Sequence, residues 1–183
     1  MDSEKFLLIS DSHGHISALK AVLAWAQNQS QSGNLINSAV FLGDGAADLQ
    51  SAAAGFYSGW RIVRGNNDYD TSLPDSAIFD FADNRFFMCH GHRHALYGGY
   101  HSLVSAARAN DANAALFGHT HIPCYKSVNG VLLINPGSVS RPRSREGATF
   151  AVVECAQGSQ PTAEFWGISE KFEIKKLKLI NRS

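Results

Sequence analysis

Asp11 and His13 stand two positions apart, directly after the apolar run Phe6-Leu7-Leu8-Ile9. Together they offer a hard carboxylate oxygen and an imidazole nitrogen, donors that suit a divalent cation. The same kind of ending recurs along the chain. Gly43-Asp44 follows Ala39-Val40-Phe41-Leu42, and Gly65-Asn66 follows Trp60 to Arg64. Cys89-His90-Gly91-His92 closes the run Arg85 to Met88, and Gly118-His119-Thr120-His121 follows Ala114 to Phe117. Taken singly, each has a structural explanation, Asp11 as a helix cap and His13 as a loop residue. Five such endings in 183 residues point to a shared polar cluster. The eight histidines agree: all fall between His13 and His121, and all but His101 have His-x-His spacing.

The elements that must position these residues are legible from the runs themselves. Short continuous apolar runs read as buried strands, which belong to layered α/β sheets covered on both faces. Open sheets place ligands at the carboxyl edge of such strands. Gly beside the key residues lets the backbone turn sharply and lets neighbouring loops approach closely. Helical spacing marks 16–27, through Ile16, Leu19, Val22 and Ala26, and helices are also expected over 46–57 and 102–109. Runs 77–81 and 85–88 flank Asp83-Asn84, a turn signal for a hairpin. Runs 123–128 and 131–134 flank Asn129-Gly130, the strongest short hairpin signal. Further strands are expected over 149–154, 162–166 and 171–179, the last with an alternation broken by a bulge. The sum is a layered α/β sandwich, read as one domain over residues 1–183.

Composition narrows the function. The hydrophobic share of 44% is that of an ordinary soluble globular protein. Lys plus Arg and Asp plus Glu number 16 each, so the net charge gives no general pull toward nucleic acid or anionic membrane. No apolar run approaches a membrane span, and the stretch after Met1 is too short for a secretory signal. Three widely spaced cysteines, Cys89, Cys124 and Cys155, argue against a disulfide framework or a cysteine zinc site. The expected compartment is a reducing cytoplasm. Cys89 alternates with His90, so its side chain is expected on the opposite, buried face.

The series Asp11-x-His13, Gly43-Asp44, Gly65-Asn66, His90-Gly91-His92 and Gly118-His119-x-His121 resembles the calcineurin-like metallophosphoesterase superfamily. With the short chain and Asn135-Pro136-Gly137-Ser138, it looks most like the small bacterial phosphodiesterase branch, related to the retromer subunit Vps29. The resemblance implies a four-layer α-β-β-α sandwich of two mixed sheets flanked by helices. It implies one metal on Asp11, His13, Asp44 and His121, and a second on Asp44, Asn66, His90 and His119, with Asp44 bridging. It implies in-line attack on a phosphodiester by a hydroxide bridging the two metals. Neutral His and Asn ligands leave the site net positive, which binds phosphate and stabilises the charge added in the transition state. Nitrogen and oxygen donors without thiolate suit Mn, the expected ion, or Ni, Fe, Co or Zn, better than Ca or Mg.

The general acid is where this chain departs from the family pattern. Many members have His after the Asn ligand, and the small bacterial branch often has Cys. Here the residue is Asn67, which can hydrogen-bond a phosphate oxygen but cannot act as a general acid. His92, water, or a good leaving group fills the gap; His92 and Asn67 are the catalytic candidates. Asp68 reads either as a carboxylate orienting a ligand His or as a loop cap. His15 reads as a helix-start residue, and His94 and His101 as surface or mouth residues. Arg141, Arg143 and Arg145 form a solvated loop or grip a distal phosphate or base.

The expected activity is hydrolysis of small phosphodiesters, with nucleotides among them. The alternatives are a phosphomonoesterase with the same site and a Vps29-like protein-interaction scaffold that retains metals. Neutral net charge argues against a processive enzyme on extended nucleic acid.

Overall fold

Alternation along the first strand builds two packing layers at once. In β1 (Ser3–Ile9), Phe6 and Leu8 join an apolar cluster shared with a second sheet, while Leu7 and Ile9 pack under two helices. All four are fully buried, and each contributes about 1.5–3 kcal/mol by leaving water. The computed structural model describes residues 3–36, 38–53 and 59–178. After β1 come α1 (Ile16–Gln31), β2 (Ser38–Phe41), α2 (Ala46–Ala52) and β3 (Trp60–Ile62). Next are β4 (Ser76–Phe81), β5 (Asn84–Cys89), a 3-10 turn (Leu96–Gly98), α3 (His101–Arg108) and β6 (Ala114–Leu116). The chain ends with β7 (Cys124–Val128), β8 (Val131–Asn135), β9 (Ala148–Ala156), β10 (Thr162–Ile168) and β11 (Ile174–Lys176).

The strands form two mixed sheets, ordered β11-β10-β9-β1-β2-β3 and β4-β5-β6-β8-β7. Strands β1, β2 and β3 pair parallel in one, and β5, β6 and β8 in the other. Phe86 and Met88 of β5 face the first sheet, whereas Phe87 and Cys89 pack on α3. The layers therefore run helix, sheet, sheet, helix, as the sequence leads one to expect. Cys89 is buried among α3 contacts, and burial pushes its thiol up to about 12. All three cysteines are free thiols. Among the described residues no helix is long and apolar enough to cross a membrane.

Several boundaries differ from the sequence expectation for identifiable reasons. Helix α1 runs one turn past Gln27, because Asn28 to Gln31 still suit an exposed helix end. Helix α2 stops at Ala52, and the rest of the expected helix, 54–58, lies outside the described residues. The first hairpin turns on Ala82-Asp83, both at positive φ, and not on Asp83-Asn84. Asn84 instead pairs with Phe81 and donates from its amide to the Ala82 carbonyl at 2.9 Å. The second hairpin turns on Asn129-Gly130 as expected, again with both residues at positive φ. Strand β11 covers only 174–176 of the expected 171–179, and Leu179 lies outside the described residues.

Candidate active site

Hydrogen bonding continues past the strand ends and carries the loops to the same edge. Leu42 N donates to Ile9 O at 2.9 Å and Asp11 N to Gly43 O at 3.0 Å. In the second sheet Phe117 N donates to Ile134 O at 3.0 Å and Gly118 N to His90 O at 2.9 Å. The backbone then turns into a region that non-glycine residues rarely occupy. Asp11 (φ 58°), His13 (44°), Asp44 (59°), His119 (64°) and His121 (59°) are all left-handed. Such conformations cost about 1–3 kcal/mol each and persist where surrounding structure enforces them. Here they aim the donor atoms toward a common point.

Close approach of the loops is what the glycines permit. A Cβ on Gly43 would fall 2.4 Å from Gly65 N, and one on Gly65 would fall 2.1 Å from Asp44 Oδ1. A Cβ on Gly118 would lie 2.1 Å from Ser10 Oγ and 2.8 Å from Asp11 Oδ2.

The side chains converge as follows. His121 Nε2 is 3.0 Å from Asp11 Oδ1 and 3.2 Å from His13 Nε2. His13 Nε2 is 3.6 Å from both Asp11 Oδ1 and Asp44 Oδ2. His90 Nε2 is 3.5 Å from Asp44 Oδ2 and 3.9 Å from Asp11 Oδ1. Two clusters with the spacing of metal ligands result among the described residues, Asp11/His13/His121 and Asp11/Asp44/His90.

Backbone carbonyls set the histidine tautomers. His90 Nδ1 donates to Leu42 O at 2.7 Å, and His121 Nδ1 to Arg141 O at 2.6 Å. With the proton held at Nδ1, each Nε2 presents a lone pair toward the carboxylates. Asp11 Oδ1 and His90 Nε2 are buried and make no hydrogen bond. Buried donors and acceptors of this kind are costly without a partner. Carboxylate oxygens and imidazole lone pairs gathered at one point fit a cation, which would satisfy them together.

The electrostatics point the same way. Burial pushes the Asp11 carboxyl up, but the close approach of His121 and His13 and the charge of His90 hold it well below the usual range. Burial likewise opposes ionisation of Asp44, yet His90 and the Asn67 donors bring it down to about 2. His90 loses basicity through burial and regains more from Asp44 and Asp11, so its net shift is upward. Two ionised carboxylates thus stabilise positive charge at the cluster.

Asn66, His119 and Asn67 line a cavity of about 460 Å³ with His13, Asp44 and His121. His119 stands beside the two clusters, its ring 5.2 Å from that of His90 and its backbone N–H 3.1 Å from Asp11 Oδ2. Asn67 holds Asp44 twice, from its backbone N to Oδ1 at 2.8 Å and from its amide to Oδ2 at 2.5 Å. The His92 ring lies 5.5 Å from His90 and 6.3 Å from His119, with Nδ1 buried and making no hydrogen bond. Burial and the charge of His90 push its pKa down. His94 turns away and bonds Ser102 Oγ at 3.0 Å. His15 is the exposed residue preceding α1, and His101 is exposed at the start of α3.

Asp68 orients no ligand histidine. Its carboxylate accepts four backbone N–H groups, from Asp44 (2.8 Å), Gly45 (2.9 Å), Ala46 (2.8 Å) and Gly65 (2.8 Å). It clamps the Asp44 loop, the start of α2 and the Asn66 loop together. Sequence reasoning missed two further supports. Asp48 accepts from Ser12 Oγ and Gly14 N, both at 2.7 Å, tying the Asp11 loop to α2. Ser138 Oγ donates to Asp11 O at 2.8 Å, and the Asn-Pro-Gly-Ser stretch was the signal for it. The arginine loop lies at the cavity mouth, where Arg141 and Arg143 join the lining.

A sequence profile of the calcineurin-like phosphoesterase superfamily domain matches residues 5–158. Probable metallophosphoesterase YsnB of Bacillus subtilis is 28% identical over 147 residues, spanning 80% of this chain and 82% of that one. Phosphodiesterase YfcE of Escherichia coli K12 is 28% identical over 167 residues, spanning 82% and 87%. Vps29 of Entamoeba histolytica, solved in complex with zinc, shares the fold with a TM-score of 0.73 at 19% identity over 96% of this chain and 98% of that one.

Proposed function

This chain belongs to the calcineurin-like phosphoesterase superfamily, and from that premise we propose that it hydrolyses small phosphodiesters with two divalent ions. The observation that carries the reading is the convergence of Asp11, His13, Asp44, His90 and His121 donors, two of them buried without a hydrogen bond. One ion is assigned to Asp11, His13, Asp44 and His121, and the other to Asp44, Asn66, His90 and His119, with Asp44 shared. When bound, the ions would polarise the phosphate and lower the pKa of water to supply the nucleophile; manganese is the first choice, with Ni, Fe, Co or Zn as alternatives.

The chain's own residues do the rest. Leu42 O and Arg141 O hold the His90 and His121 rings in orientation. The Asn67 amide faces the cavity and can donate to a phosphate oxygen. His92, beside His90 and His119, is assigned to the leaving-group side. The cavity size suits a small ester and not an extended nucleic acid.

The test is hydrolysis of bis-p-nitrophenyl phosphate and p-nitrophenyl phosphate by metal-stripped protein, with single metals restored and Asp44→Asn as control. Metal-dependent diester cleavage, lost in the control, is the expected result. Faster monoester cleavage would replace the reading with a phosphomonoesterase. Silence on both, with metals bound, would replace it with a scaffold.

A further inference from the structure

A second groove, of about 490 Å³, opens beside the candidate site and shares Tyr97 and Arg143 with it. The junction is built. Arg143 N donates to His121 O at 3.1 Å, and its guanidinium donates to Tyr97 Oη at 2.5 Å. The Tyr97 ring in turn lies 5.9 Å from that of His119. Tyr97 is 68% exposed and Ile122 44% exposed, so an aromatic and an aliphatic side chain face solvent along one groove. Arg145 and Lys126 line the same groove, with Glu146 as the carboxylate among its residues.

Three basic side chains and one carboxylate line the groove in a chain whose net charge is zero. Lys5, Arg64, Arg85, Arg93, Lys175 and Lys176 all sit within salt-bridge distance of a carboxylate. Among the described residues Lys20, Arg61, Arg108, Lys171 and Lys178 make no salt bridge, and neither do Arg141, Arg143, Arg145 and Lys126; these last four surround the groove or the adjoining cavity. Lys126 Nζ instead lies 4.4 Å over the Tyr100 ring. The opposite flank carries more carboxylates: Asp48, Asp68 and Asp70 line it beside Tyr69 and Arg141. A substrate crossing the site therefore meets three basic side chains, Arg143, Arg145 and Lys126, on the groove side and mainly carboxylates on the other.

We propose that this groove holds one arm of the substrate, an aromatic base carrying a second phosphate, as in a terminally phosphorylated dinucleotide. The base lies against Tyr97 and Ile122, and the second phosphate lies among Arg143, Arg145 and Lys126, where charge-assisted donors suit its oxygens. The assignment rests on the phosphodiesterase reading for which bond is cut. Water adds to the scissile phosphorus, the P–O bond to one arm breaks, and a monoester and an alcohol result.

Two measurements separate the groove from the reaction. Calorimetry on the metal-loaded protein compares adenosine 3′,5′-bisphosphate with adenosine 5′-monophosphate. The bisphosphate binds about tenfold tighter in the wild type, the worth of one charge-assisted contact. The exposed-side double variant Lys126→Gln, Arg145→Gln, checked for an unchanged thermal melt, abolishes that preference. It also lowers kcat/KM for a 5′-phosphorylated dinucleotide more than for bis-p-nitrophenyl phosphate. Equal affinity for the two nucleotides in the wild type, or a preference that survives in the variant, overturns the groove assignment. Preference for the bisphosphate without hydrolysis of any diester keeps the groove and removes the enzymatic reading. Diester hydrolysis without that preference does the reverse.

Discussion

Replacing Asp68 by Asn changes one oxygen to an NH₂ group and leaves the shape intact. In the native protein Asp68 Oδ1 accepts from Gly45 N and Ala46 N, and Oδ2 accepts from Asp44 N and Gly65 N. The amide has one oxygen, so whichever pair it serves, the other pair of N–H groups faces its NH₂ donors. Two backbone donors are left unpaired, at about 1–3 kcal/mol each. The site is half-buried, so water relieves part of this, and the expected loss is about 2–4 kcal/mol. For a chain of this length that lowers the melting temperature by roughly 5–10 °C. The loosened Asp44 loop also weakens metal binding about 10–100-fold, as loss of an outer-sphere partner typically does. Differential scanning calorimetry of the metal-free variant and a manganese titration read the two effects separately. An unchanged melt with unchanged metal affinity would refute the reasoning, because the clamp would then hold nothing. A lowered melt with unchanged metal affinity would leave Asp68 a purely structural residue.

Gly65→Ala sets a methyl group against Asp44 Oδ1 and Asp44 N. Overpacking of this kind costs about 1–3 kcal/mol, so the variant is expected to fold and to lose metal binding; normal metal affinity in isothermal titration would contradict the packing account. In the metal-free protein, Asp44 at about 2 lies below its ordinary 3.8, so its stabilisation is present above that value and fades as pH falls toward about 2. His90 lies above its ordinary 6.5, so its stabilisation is present below that value and fades as pH rises through the raised pKa. The metal-free melting temperature is therefore expected to fall at both ends of the range. Since the His90 proton must leave before a metal binds, metal affinity rises with pH across neutrality. A flat melting profile, or metal affinity independent of pH, would show that these charges are not coupled.

Much was legible in the sequence. Alternating and continuous apolar runs identified β1, β2, β5, β6 and β8, because burial on both faces leaves a plain hydrophobic signature. Asn129-Gly130 marked its hairpin because few other pairs adopt two positive φ angles cheaply. The polar endings of the strands, with Gly beside them, located the loops that carry Asp11, His13, Asp44, Asn66, His90, His119 and His121. Local spacing was weaker at the turn after β4. There the pairing of Asn84 with Phe81 moved the turn by one residue, a choice made by the sheet.

What the sequence by itself determined is the inventory: which residues are chemically able to hold cations, and which runs must be buried. Only the tertiary structure decided how those residues are served. Asp68 became a four-fold backbone clamp, Ser138 a support for the Asp11 carbonyl, and Leu42 O and Arg141 O the setters of two tautomers. Apart from the Gly65 N–H on Asp68, these contacts join segments distant in the chain, and they use backbone atoms that every residue type shares. Beyond the Asn-Pro-Gly-Ser stretch that marks Ser138, local sequence does not name such partners, since the partner is chosen by where two sheets bring their loops together.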